Sequence, residues 1–416
     1  MNEAPTPSPR RAAFAFIFVT VMLDMFAIGI IIPVLPKLVE DFMGGDAARA
    51  AVIYGIFGTA WALMQFLSMP VLGSLSDRFG RRPIILLSNF GLGLDYILMA
   101  LAPNVRWLFV GRVISGITAA SVSTAGAYIA DVTSPEQRAA KFGLLGAAFG
   151  AGFVVGPALG GVLGGISPRL PFWVAAALSL ANGLYGLFVL PESLARERRA
   201  AFSWRKANPI GALRLLRSHP ELWGFAWVAF FSNLAHAALP SVAVLYMSHR
   251  YNWDTQRVGI LLAGVGVCSI LVQGVLIRPV VKALGERHTI LVALVAGVAG
   301  FTIQAMAPNG ILYAAGIAIM SLWGLMNPAL QGLMTRLVSP SEQGQLQGAN
   351  GSVLGIATLI GPLLFTQTFA LFIGTHPEWH LPGAPFLLSA LLLVASMTVA
   401  LRVMAGRLQR VPAENP

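Results

Sequence analysis

Long apolar runs separated by short polar segments recur along the whole chain. Each run is about 20 residues or longer, which is enough for a helix to cross the hydrocarbon core of a bilayer. The runs cover residues 12–36, 51–75, 84–102, 107–130, 142–166, 171–191, 221–247, 258–281, 289–307, 310–335, 346–373 and 383–404. The pattern therefore predicts an all-α membrane protein with twelve transmembrane helices.

Composition supports this prediction over a soluble fold. Of the 416 residues, 56% are hydrophobic and 11% are charged, and the mean hydropathy is +0.73. A soluble domain could not bury that much apolar surface in one core. The first run is too long for the core of a signal peptide, so we expect it to remain as a helix.

The formal net charge of +11 would suggest nucleic-acid binding in a soluble protein. Here the position of the charges indicates a different role. If the amino terminus is cytoplasmic, most of the 28 lysine and arginine residues fall in cytoplasmic loops, as the positive-inside rule expects. The sequence therefore predicts a multi-pass protein with both termini in the cytoplasm and no nucleic-acid partner.

The longest polar stretch, residues 192–220, divides the chain into two halves of six spans, residues 1–191 and 221–416. A shift of 205 positions superimposes SPEQRAAKFG, which starts at Ser134, on SPSEQGQLQG, which starts at Ser339. The same shift places Gly156-Pro157 on Gly361-Pro362 and Gly80 on Gly285. Several matches at one offset indicate a duplication. Two parallel six-helix halves resemble the architecture of the major facilitator superfamily. Its transporters bind substrate near the midplane, between the halves, and work by alternating access.

The loop between spans two and three reads GSLSDRFGRRP, residues 73–83. Basic residues are common in cytoplasmic loops, so a generic helix end is one interpretation. The arrangement also resembles the signature loop of the major facilitator superfamily. That resemblance implies a charged gating latch formed by Asp77, Arg81 and Asp131, with ordinary exposed ion pairs as the alternative. In the second-half copy of the loop, Lys282 replaces the aspartate.

Span five carries glycines at 152, 156, 160 and 164, every fourth residue on one helical face. Such a face lets another helix approach to backbone contact, and tight packing would explain it. The full spacing also resembles the antiporter signature of drug-exporting facilitators. That resemblance implies a gating role for Gly156 and Pro157 and disfavours a symporter.

Inside the first six predicted spans lie two acids and one arginine, namely Asp24, Asp95 and Arg112. A charge at the bilayer centre costs about 2.5 to 3.5 kcal/mol on insertion scales, so such residues usually have a function or a partner. A carboxylate in a low dielectric holds its proton more readily than in water, and a proton and a cationic substrate could compete for it. A structural hydrogen bond, or a structural counter-ion in the case of Arg112, is the alternative.

The segments LDMFAIGIIIPVLP, GTAWALMQF, GLGLDYILMA, AYIADVT, LPES and GQLQG together resemble tetracycline efflux proteins, in the proton-coupled antiporter branch of the superfamily. The resemblance implies that Asp24 and Asp95 couple transport to protons and that Arg112 tunes a nearby carboxylate. It also implies that Gln65 and Gln273 line the substrate cavity.

Two departures from that family weaken the assignment of a tetracycline–metal substrate. Gly297 stands where the family has an aspartate in span nine, and Ser269 stands where it has a histidine in span eight. His236 in span seven, with Asn233 one turn before it on the same face, is a candidate replacement proton site because histidine titrates near neutral pH. A neutral histidine hydrogen-bonded within the bundle is the alternative.

We therefore expect an inner-membrane antiporter that exports an amphipathic drug, of tetracycline type, in exchange for protons. Export of a different antibiotic or of a siderophore is the alternative. The chain lacks the motifs of metalloproteases, nucleophile-elbow hydrolases and P-loop enzymes, so an enzyme is not expected. We expect a monomer without a cofactor or a protein-bound metal; a divalent metal would enter only as a chelate of the drug.

Overall fold

The structure is a computed structural model that describes residues 9–118, 121–133, 135–200, 202, 215–216, 220–339 and 342–408. Within these residues the regular elements are helical. The α-helices are α1 (Pro9–Ile31), α2 (Leu35–Phe42), α3 (Ala47–Phe79), α4 (Arg81–Leu101), α5 (Val105–Thr118), α6 (Ser121–Val132), α7 (Pro135–Ile166), α8 (Leu170–Val189), α9 (Pro220–His236), α10 (Ala238–Tyr251), α11 (Thr255–Leu271), α12 (Ile277–Met306), α13 (Gly310–Ser321), α14 (Met326–Thr335), α15 (Gln343–Ala370) and α16 (Ala384–Leu408).

The twelve predicted spans are present. Among the described residues, ten continuous helical segments are long and apolar enough to cross a membrane. One of them, Thr255–Met306, contains two spans, because the backbone leaves the helical conformation at Gly285. The fourth span is described as α5 and α6, on either side of residues 119–120. Counting both brings the total to twelve, as the apolar runs predict.

Prolines explain where two of the spans are interrupted. A proline has no amide hydrogen, so the carbonyl four residues before it loses its helical partner. Pro240 stands four residues after His236, where α9 ends, and Pro328 stands four residues after Gly324, in the 3-10 turn Leu322–Leu325. Each of these spans therefore continues as two helices joined by a break.

The chain forms two compact units. The first comprises residues 1–38, 60–208 and 254–266, and the second comprises residues 39–59, 209–253 and 267–416. The start of α3 thus belongs with the second unit, and most of α11 belongs with the first. The division into halves at 191 and 221 stays a prediction, and the linker between them is described at 192–200, 202, 215–216 and 220.

In the first unit, the glycine face of α7 packs directly on α1. A Cβ added to Gly156 would lie 2.6 Å from the Cα of Gly29, and one added to Gly152 would strike the Cβ of Met25. A Cβ on Gly160 would strike the carbonyl oxygen of Ile30. Helices approach this closely only where side chains are missing, which is the usual way that membrane helices associate.

Large apolar side chains cover the outer surface of the helices. Phe188 is 81% exposed and Ile311 is 85% exposed. In a soluble protein such exposure would create an aggregating surface, whereas in a membrane these side chains face lipid tails. The exposed apolar surface and the span lengths together establish a multi-pass membrane protein.

The contact between α7 and α1 predicts a difference between two glycine-to-alanine substitutions in the same helix. Gly160→Ala should lower the free energy of unfolding by about 1 to 3 kcal/mol, because the methyl group overpacks a backbone contact. Gly165, which has no atom within 4 Å of an added Cβ, is the matched control. Gly165→Ala should leave stability unchanged or raise it slightly, because alanine favours helix more than glycine does. Melting of the two purified variants in detergent measures the difference, and equal melting temperatures would contradict the packing.

Candidate functional site: a buried acid cluster and a charged latch

The Asp24 carboxylate is held by two asparagines from neighbouring helices. Asp24, on α1, is 1% exposed. The Asn182 side chain, on α8, donates to its Oδ1 at 2.9 Å and to the Thr20 carbonyl at 2.9 Å. The Asn89 amide, on α4, donates to Oδ1 at 3.1 Å in the orientation that satisfies both of its ends. A buried carboxylate with such donors is fixed in position.

Asp95 has a different environment. It lies on α4 and is also 1% exposed, but neither of its carboxylate oxygens has a hydrogen-bond partner among the described residues. Gly111 leaves room for it, because a Cβ there would lie 2.8 Å from Asp95 Oδ1. A buried carboxyl without a donor is costly in its charged form, so a proton or a cation is its natural partner.

Arg112 belongs to the same cluster. Its charge acts on the Asp95 carboxyl, and the charges of Asp24, Asp95 and Arg112 all act on the phenol of Tyr96. The Arg112 guanidinium also lies 5.6 Å from the centre of the Trp61 ring. The structure therefore brings together the three charged residues that the sequence singled out inside the first spans.

The asparagines and the tyrosine of this cluster were not identified from the sequence. Asn89 and Asn182 are fully buried, and Tyr96 is 3% exposed. The available signal was an amide side chain inside an apolar run, since such groups need a partner in the membrane. Which carboxylate they contact could be learned only from the structure.

The remaining predicted polar residues are divided between the units. Gln65, on α3 in the first unit, is half-buried, whereas Asn233, His236 and Gln273 belong to the second unit. His236 is exposed at the end of α9, and its ring centre lies 5.7 Å from that of Trp323. Gln273 is exposed on the π-helical turn Val272–Leu276. Their role in binding stays a prediction.

The three latch residues are in direct contact at the junction of α3 and α4. Arg81 Nη1 lies 2.6 Å from Asp77 Oδ1, and Arg81 Nε lies 3.2 Å from Asp131 Oδ2 at the end of α6. Arg81 Nη1 also donates to Ser76 Oγ at 2.6 Å. The Arg81 side chain is 12% exposed and the Asp131 side chain is 23% exposed, so the Arg81–Asp131 pair is better shielded from water than an ordinary surface ion pair.

Glu192 completes the latch and was not identified from the sequence. Its carboxylate accepts hydrogen bonds from the backbone amides of Arg81 at 2.9 Å and Arg82 at 3.3 Å, at the start of α4. Helix amino termini have unpaired amides and favour a negative charge. Gly80 has a φ of 109°, and a Cβ there would strike the Glu192 carboxylate. The LPES segment after span six is therefore tied to the loop after span two.

Gly156 and Pro157 are buried on α7 in the first unit. Gly156 packs on α1, as described above, and the Pro157 carbonyl lies next to α11. A Cβ on Gly259 would be 2.5 Å from the Pro157 oxygen. The helix that carries the antiporter-like spacing thus contacts two neighbours through backbone atoms, and its gating role stays a prediction.

Comparison with known proteins decides the family. The model for the Major Facilitator Superfamily matches residues 17–362 and 238–415, which is nearly the whole chain. The chain belongs to this superfamily. It is therefore a membrane transporter and not an enzyme.

Among its relatives are tetracycline resistance proteins. The chain is 37% identical to the class C protein of Escherichia coli over 86% of its own length and 90% of the relative. It is 35% identical to the class G protein of Vibrio anguillarum over 96% and 99% of the two lengths. Among solved structures, the human organic anion transporter MFSD10 (TETRAN) matches with a TM-score of 0.69 and 24% identity, over 95% of this chain and 100% of that one. The structural match supports the fold.

The latch geometry predicts that Asp77 acts in the conformational cycle and not in binding. Asp77→Asn should lower the transport rate at least about tenfold, because it weakens the Asp77–Arg81 contact, which a gating latch has to break and form again in each cycle. Drug affinity of the purified protein should stay within a few fold. Glu197→Gln, an exposed acid on the same polar segment as Glu192, is the control and should transport normally. Loss of affinity in the Asp77 variant would place this loop in the binding site instead.

Proposed function

We propose that this protein exports an amphipathic, tetracycline-type drug in exchange for protons by alternating access. The observation that carries the proposal is the buried Asp95 carboxyl, which has no hydrogen-bond donor among the described residues. It occurs in a chain that is 34 to 37% identical to tetracycline resistance proteins of classes B, C, D and E. This carboxyl can bind and release a proton, which is what coupling export to protons requires.

Antiport follows if proton and drug exclude each other at one group. When Asp95 is protonated it is neutral, and it stays stable in a dry environment. When it is charged, a cationic substrate group would stabilise it. Arg112 is close enough for its charge to act on the same carboxyl. Asp24, held by Asn182 and Asn89, is the second coupling group of this cluster.

The other expectations belong to the same proposal. The protein works as a monomer in the cell inner membrane, with both termini in the cytoplasm, and it binds no nucleic acid. Gln65, Asn233 and Gln273 contact the drug, and Gly156 and Pro157 take part in gating. The basic residues of the predicted cytoplasmic loops support the orientation.

Two observations bear on whether the drug is carried as a metal chelate. No group of three or more His, Cys, Asp or Glu side chains that could hold a metal is found among the described residues. At Gly297 a Cβ would lie 2.6 Å from Leu393 and 3.1 Å from Trp323, so the aspartate of the family would not fit there without rearrangement. A divalent metal would enter only with the drug. This departure also favours the second candidate, export of another antibiotic or a siderophore.

A resistance panel tests the substrate class. The gene is expressed in a bacterial strain without its own efflux pumps, and growth is measured on tetracyclines, on other antibiotics and on siderophores. Tetracycline resistance that needs the proton gradient supports the proposal. Resistance to another class of antibiotic, without resistance to tetracyclines, would show that the protein exports that class instead. Tetracycline uptake into inverted vesicles, with magnesium present or chelated, then shows which form of the drug is carried.

Coupling predicts that Asp24→Asn and Asp95→Asn lose proton-driven accumulation while they still fold. Asparagine nearly preserves the shape but cannot titrate. In proteoliposomes without a gradient, exchange of labelled for unlabelled drug should persist in Asp24→Asn, because that half-reaction needs no proton. It should weaken in Asp95→Asn, which also loses the charge proposed to pair with the cationic drug. Glu40→Gln replaces a buried acid of the second unit, 8% exposed, and is the control that should keep coupling. If both aspartate variants accumulate drug normally, the coupling assignment is wrong.

If His236 is a proton site, its replacement should change the pH profile of transport. Imidazole changes charge near neutral pH, so a cavity-facing His236 should shape the transport rate between about pH 5.5 and 8. His236→Gln should flatten or shift that profile at a fixed gradient in proteoliposomes. Asn233→Ala, one turn earlier on α9, should change drug affinity without moving the profile. An unchanged profile in the His236 variant would leave coupling to Asp24 and Asp95.

A further inference from the structure

The second unit contains a counterpart of the charged latch at every one of its three positions. The shift of 205 residues that aligns Ser134 with Ser339 places Asp77 on Lys282, Arg81 on Glu286 and Asp131 on Arg336. Each acid is replaced by a base, and the base is replaced by an acid. The second copy therefore has the same charged positions with every sign reversed.

The backbone of the two copies is also alike. In the first unit a single glycine, Gly80, separates α3 from α4, and its φ is 109° and its ψ 161°. In the second unit Gly285 interrupts α12 with a φ of 70° and a ψ of 165°. This left-handed conformation favours glycine. Residues 81 and 286 thus both begin a helix directly after a one-residue break.

The long contact of the latch is present in both copies. Arg81 reaches from its break to Asp131 at the end of α6, with 3.2 Å between Nε and Oδ2. Glu286 reaches from its break to Arg336, which directly follows α14, with 2.8 Å between Oε1 and Nη2. The Glu286 side chain is 15% exposed, and Gly332 leaves the space that it occupies.

The short contact differs between the copies. Asp77 and Arg81 are paired at 2.6 Å, whereas Lys282 is exposed and shows no ion pair to a described residue. Arg336 is 71% exposed, and an ion pair with so exposed a partner adds little to stability. Its position, rather than its strength, is what the two copies share.

We propose that Lys282, Glu286 and Arg336 form a second latch, of reversed charge, which opens and closes during transport. Each latch joins the helix after a one-residue break to the end of the neighbouring span, and an ion pair does this equally well with either sign. The exposed Lys282 is the member of the latch that changes partner: it can turn toward Glu286 and away from it during transport. The inference rests on the proposed function, because the latch has a purpose only in a transporter that changes state.

Substitutions in the transporter itself test this latch. Glu286→Gln and Arg336→Gln should each lower the maximal rate of drug–proton exchange about tenfold, with the half-saturating drug concentration and the melting temperature unchanged. Glu286→Lys combined with Arg336→Glu restores a pair of opposite polarity and should recover most of the rate. Asp46→Asn, which breaks an exposed pair with Arg49 elsewhere in the second unit, is the matched control and should have no effect. Wild-type rates in both single variants would overturn the proposal.

A second measurement does not depend on the cargo. Spin labels are attached to Ala283→Cys and Val338→Cys in a Cys268→Ser background, on either side of the latch, and the distance between them is measured in lipid. The wild-type latch should give two distances, and Glu286→Gln should shift the population toward the longer one. One distance, unchanged by the substitution, overturns the latch. If the wild-type protein carries no tetracycline but shows two distances, the substrate assignment fails and the latch stands.

Discussion

The close approach of α1 and α7 is the constraint on which the site in the first unit depends. Because Gly29, Gly152 and Gly156 have no side chains, the two backbones meet, and α1 is fixed against its neighbour. That also fixes the position of Asp24 on α1, which meets an asparagine from α8 and another from α4. A lipid environment offers no hydrophobic force to bring helices together, so contact between small residues has to do so.

The same fixed bundle gives two carboxylates two different surroundings. Asp24 is surrounded by amide donors and keeps its place, whereas Asp95, against Gly111, has none among the described residues. Two acids of the same chemical type can thus share one task, coupling to protons, from different surroundings: one is held in place by amide donors and the other has no donor to its charged form. Glu192, in the segment after α8, accepts a hydrogen bond from the Arg81 amide and so fastens that segment to the start of α4.

The fold could be predicted from the sequence, because the length of an apolar run is set by the thickness of a bilayer and is independent of detail. The charged residues of the cluster could be predicted too, since placing Asp24, Asp95 and Arg112 inside a bilayer costs free energy and therefore marks them as unusual. Their partners could not. Asn89 and Asn182 are on different helices from Asp24, and a linear pattern does not show which faces of these helices meet. The break at His236 was visible only as a proline four residues later.

The single-glycine breaks at Gly80 and Gly285 have a consequence for how such proteins change over evolutionary time. A duplicated segment inherits both the backbone break and the charged residues around it. These two features are constrained separately. The geometry tolerates almost no other residue, because a left-handed backbone excludes most side chains. The chemistry needs only that opposite charges face each other, so an entire set can invert when its members change together. A sequence motif defined by residue types would treat the second copy as lost. A motif defined by the backbone angle at the glycine and by opposite charges at the paired positions would treat it as present.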